Sequence, residues 1–76
     1  MNNQRRKEID KLISSIDALK NVAEELLSEE EDYRDNIPEN LQGSQRYEDA
    51  DEACDHLDDA IACIEDAISA LEEAKL

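Results

Sequence analysis

Apolar residues recur along this chain at alternating steps of three and four, the spacing that lines one face of a helix. The stricter run is Tyr47, Ala50, Cys54, Leu57, Ile61, Ile64, Ile68 and Leu71. Beside it Ala53, Ala60, Ala67 and Ala74 repeat every seven residues, small side chains that let a neighbouring helix approach closely. An earlier run reads Ile9, Leu12, Ile16, Leu19, Ala23 and Leu26, and extends through Glu30 to Tyr33. Ile13, Val22 and Leu27 widen that stripe. Two helices are predicted, over about residues 3–35 and 45–75.

The connector, residues 36–44, reads Asn-Ile-Pro-Glu-Asn-Leu-Gln-Gly-Ser. Pro38 disfavours helix at Ile37, so the first helix stops near Asp35 or Asn36. Pro38 also suits the start of one short helical turn ending at Gly43. Ser44 is a natural N-cap for the second helix, and Glu48, Asp49 and Asp51 suit its first turns. A link this short returns the chain antiparallel. The expected fold is all-α: one domain over residues 1–76, a coiled-coil-like hairpin of two helices, each roughly 45 Å long at 1.5 Å per residue.

A hairpin has one internal interface, and 76 residues bury little surface. The first helix carries more bulky apolar side chains than one alanine-edged neighbour covers. Ile13, Val22 and Leu27 are therefore expected to meet a second copy, giving a homodimeric four-helix bundle, the alternative being burial against a different partner protein.

Charge changes the picture more than composition does. The chain has 22 acidic and 8 basic residues, a formal net charge of −14. Fifteen of those carboxylates lie between Glu24 and Asp59, against only Arg34 and Arg46. Glu29, Glu30, Glu31, Asp32 and Asp35 close the first helix, where the macrodipole favours cations instead. The hairpin brings this end beside the acidic start of the second helix, with no comparable cationic answer expected within the chain. At the open end Arg5, Arg6 and Lys7 are expected to answer Glu72 and Glu73. Tyr33 and Tyr47 flank the bend and are expected to plug it against Ile37 and Leu41, or else to anchor a partner.

Catalytic and metal chemistry find little footing. Cys54 and Cys63 are nine residues apart on one helix, about 180° around the axis and roughly 13 Å along it. They cannot pair with each other, and reduced thiols in a cytoplasmic setting are expected. Cys54 faces the seam while His56 faces away, so the pair, even with Glu52 and Asp59, forms no convergent metal set. The bend lacks the Asp-rich loop of an EF-hand, and no Gly-rich phosphate loop occurs. Two long helices enclose no cavity for a nucleophile–base pair. No enzyme activity, cofactor or metal is expected. The start Met1-Asn2-Asn3 reads as a native cytosolic one, without a signal peptide or membrane span.

A dense negative surface either solubilises or binds something cationic. The candidate partner-binding residues are Glu29, Glu30, Asp32, Asp35, Glu39, Glu48, Asp49, Glu52 and Asp55. Two carboxylate-lined helices can imitate the phosphate rows of a duplex, where one charge falls every ~1.7 Å of axis. The expected function is non-enzymatic occupation of a basic, nucleic-acid-binding protein surface. The alternative is a structural assembly module, homo-oligomeric, whose acids serve solubility. The charge sign disfavours direct nucleic-acid binding.

The stretch from Tyr33 to Ser44, followed by Glu52-Ala53 and the repeated acidic-Ala-Ile phrases of the second helix, resembles small acidic helical proteins of phages and mobile elements in Gram-positive and gut bacteria. That resemblance implies a compact accessory protein acting in a host bacterial cell, of the kind that includes inhibitors of host defence. It carries no functional residues over to this chain.

Overall fold

A computed structural model describes all 76 residues. Helix α1 runs Asn3–Asp35 and helix α2 runs Gln45–Ala74, with a single 3-10 turn at Glu39–Leu41 between them. The helices lie antiparallel in a rod of 59 × 15 × 12 Å. No helix is long and apolar enough to cross a membrane.

Local chemistry sets each boundary. Asn2 caps α1, its side chain accepting from the Arg5 amide at 2.8 Å. Pro38, in extended conformation, follows the end of α1 and precedes the 3-10 turn. The Ser44 hydroxyl accepts from the Tyr47 amide at 3.4 Å and starts α2. At the far end the Arg6 guanidinium donates to the Lys75 carbonyl at 2.8 Å, satisfying an orphan acceptor at the C-terminus of α2.

The seam between the helices is thin. Only Ile37, Ala50, Cys54 and Ile61 are buried. Along α2 the run read from the sequence, Tyr47, Ala50, Cys54, Leu57, Ile61, Ile64, Ile68 and Leu71, is buried or half-buried throughout, with Asp51 and Ala53 half-buried beside it.

On α1 the structure corrects the reading. Its seam is Arg6, Ile9, Ile13, Ile16, Lys20, Ala23, Leu27, Glu30 and Arg34. Leu12, Leu19, Leu26 and Tyr33, expected to face α2, are exposed, Leu19 by 64%. Ile13 and Leu27, expected at an interface between copies, are half-buried inside the hairpin, and Val22 alone of that trio lies outside the seam. The physical reason is at the bend. Ile37, 3% exposed, continues the 27–30–34 spacing past the helix end and locks that face of α1 inward.

Candidate functional site

The residue following every second seam position is acidic, on both helices. On α1 these are Asp10, Asp17, Glu24 and Glu31; on α2 they are Asp51, Asp58, Glu65 and Glu72. Each series repeats every seven residues, about 10.5 Å at 1.5 Å per residue. Both columns lie on one side of the rod, because the Lys75 ammonium reaches Asp10 of α1 at 2.8 Å and Glu72 of α2 at 3.0 Å. One side of the hairpin is therefore a double row of carboxylates along its length.

The cations of the seam lean toward this double row. Lys20 stands 3.9 Å from both Asp17 and Glu24. Arg34 forks, its Nε donating to Asp35 and its Nη1 to Asp51, each at 3.0 Å. Placing long cationic side chains at seam positions buries their stems and delivers their charge to the flank. The Asp35 carboxylate, opposed by desolvation and aided by Asp51, holds the Arg34 guanidinium above its already high range. Asp10 first, then Glu72, raise Lys75 in the same way. Glu31, Asp58 and Glu65 have no ion-pair partner in the chain.

The nine nominated acids all fall in the half of the rod near the bend, in different settings. Asp32, Glu39, Glu48, Glu52 and Asp55 are exposed. Glu30 is half-buried at a seam position, and Asp35 is held by Arg34. Asp49 accepts from the Gln45 side chain at 2.7 Å, and Glu29 is exposed on the side opposite the double row. The bend does have an internal cationic answer in Arg34, contrary to the sequence expectation. Local density of acids does not reveal the eight-member double row; its signal is an acid every seven residues on each helix.

The opposite side is apolar. Leu12, Leu19, Leu26 and Tyr33 precede alternate seam residues of α1, while Ala53, Ala60, Ala67 and Ala74 do so on α2. They share a side because Arg46, of the alanine series, donates to the Tyr33 hydroxyl at 2.7 Å and lies 5.3 Å from its ring centroid. Tyr33 is thus exposed under Arg46, not a plug; Tyr47 is half-buried and Leu41 is exposed. At the open end the expected pairing runs in reverse. The cation comes from α2 as Lys75 and the anion from α1 as Asp10, while Arg6 serves the backbone.

Cys54 is 2% exposed, and burial raises its thiol above the ordinary range, with Arg34 opposing. Cys63, His56 and Asp59 are exposed on other faces and do not converge with it. No family model, curated protein or solved structure matches the chain.

Proposed function

We propose that this protein is a non-enzymatic binding protein whose acidic surface occupies the basic, nucleic-acid-binding surface of a host protein. The observation that carries the reading is the double row of carboxylates flanked at the bend by Asp32, Glu48, Glu52 and Asp55. Two rows on helices packed about 8–10 Å apart present ordered negative charge to a cationic groove. Solubility alone requires no such order, since interspersed charges serve it equally. The seven-residue repetition favours recognition over the solubilised assembly module. In this proposal the nominated acids at the bend extend the double row to the end of the rod, and the target is of the defence-nuclease kind that phage-type inhibitors block. The resemblance of the Tyr33–Ser44 stretch to proteins of mobile elements supports that setting, and with it a cytoplasmic one. The binding unit is a homodimer whose two hairpins make a four-helix bundle, supported by the bulky apolar side chains that the hairpin leaves exposed.

The test is capture from bacterial lysate on the immobilised protein, with elution by duplex DNA. Wild type should retain nucleic-acid-binding proteins that DNA releases, with steep weakening by salt. A Glu48→Lys, Asp58→Lys, Glu65→Lys variant, shown helical by circular dichroism, should lose them. Equal capture by that variant, or retention of ribosomal proteins and polyamines alone, would sink the reading.

A further inference from the structure

The apolar side of the rod has a shape and a charge order of its own. An 8.6 kDa chain folded compactly exposes roughly 4,700 Å². This one, drawn out into a rod of 59 × 15 × 12 Å, exposes 5494 Å². That surface includes an apolar stripe. Leu12, Leu19, Leu26 and Tyr33, with Val22 beside them, form a stripe at the same alternating spacing as the seam, turned about 100° from it. All five are 44–64% exposed. The neighbouring alanines of α2 are too small to cover them and leave room above the stripe.

The ends of this stripe carry opposite charge. Arg5 opens the same seven-residue series and Lys11 lies on its edge, against Glu8; at the other end the edge carries Glu25, Glu29 and Asp32, against Arg46 over Tyr33. Arg5 has no ion-pair partner in the chain, and Lys11 reaches only Glu8, at 3.8 Å. The stripe is also centred on Val22, with Leu19 and Leu26 placed almost evenly about it and Ser15 and Glu29 likewise.

We infer that this face binds a second copy of the chain with the two rods antiparallel, α1 upon α1 about a two-fold axis at Val22. In that arrangement Leu19 of one copy meets Leu26 of the other, and Leu12 meets Tyr33. Lys11 comes level with Asp32 of the other copy, and Arg5 with its acidic connector at Glu39. Two copies with their bends together would set Glu29 and Asp32 against the same residues of the partner, a repulsion among neighbours closer than the Debye length of about 8 Å. The isologous, self-complementary contact is the usual form of a dimer interface. This assignment rests on the homodimer in the proposed function and supplies its surface and direction. It leaves the double row of carboxylates on the outer faces of both copies and the two bends at opposite ends.

Sedimentation equilibrium and disulfide trapping test it. The wild type should sediment as a dimer. The Leu19→Glu, Leu26→Glu variant should weaken the dimer roughly a hundredfold or more while keeping its helical circular dichroism, because neither side chain lies in the seam. A wild-type chain that stays monomeric at millimolar concentration overturns the proposal. So does a double variant that remains a dimer. Direction is read without disturbing the leucines. In a Cys63→Ala background, Ser15→Cys chains mixed with Glu29→Cys chains should cross-link to each other on oxidation. Cross-links only between like variants overturn the antiparallel direction. The Glu48→Lys, Asp58→Lys, Glu65→Lys variant should still dimerise, so loss of capture and loss of dimer are separate results.

Discussion

Arg34 and Asp51 join the two helices near the bend through a 3.0 Å contact from Nη1 to Oδ1, while the same guanidinium holds Asp35 through Nε. One cation thus serves two carboxylates on different helices, which an ammonium cannot do with the same planar fork.

Arg34→Ala should lower the melting temperature more at low salt than at half-molar salt, since the carboxylates left behind repel and salt screens them. Arg34→Lys should fall between it and wild type. Thermal circular dichroism at the two salt levels checks both, and equal loss at both would show that packing of the arginine stem dominates.

Adjacent leucines separate the two faces of α1. Leu27→Ala should cost about 2–3 kcal/mol, a core truncation, whereas Leu26→Ala should cost less than about 1 kcal/mol in the monomer. Urea titrations at a dilution where the chain is monomeric make the comparison. The reverse order would restore the stripe that periodicity first suggested.

Cys63 should react with a thiol reagent within minutes at neutral pH, and Cys54 only as the hairpin opens. Cys54 is buried and its thiol is held above the usual range, so thiolate is scarce as well as shielded. One equivalent of rapid reaction in native protein and two in urea is the expected count by mass spectrometry.

Stability should fall at alkaline pH. Cys54 and Lys75 both bind their proton more tightly folded than unfolded. Their contribution is complete below the unfolded values, about 8.5 for a thiol and about 10.4 for an ammonium, and is lost as pH climbs through the raised folded ones. Melting curves from pH 8 upward should show the decline, and Lys75→Gln should flatten its upper part.

The limits of the helices were legible because Pro38 and Ser44 act through their own backbone and nearest amides. The α2 seam was legible because its neighbours are alanines and acids, leaving one apolar face. On α1 two stripes overlap, and apolar content alone favoured the wrong one. Leu12, Leu19 and Leu26 look more core-like than a series interrupted by Lys20, Glu30 and Arg34. The two cations are tolerable inward because Lys20 finds Asp17 and Glu24, and Arg34 finds Asp51 across the hairpin. The last pairing exists only after folding. The acidic double row was present as a period but concealed by the denser acids around it.

The connector does more than turn the chain. If α2 were to slide along α1 by one repeat, Arg34 would meet Asp58 and Lys75 would meet Asp17, so each cation would find another aspartate waiting. The ion pairs therefore cannot keep the helices in step. Nor can length alone, since nine connector residues stretch to roughly 30 Å and the slide asks for about 10.5 Å. What resists is Ile37, sealed beneath the bend, with the turn closed by the Leu41 amide on the Pro38 carbonyl at 2.8 Å. A single isoleucine outside both helices thus acts as the detent of an otherwise repetitive rack.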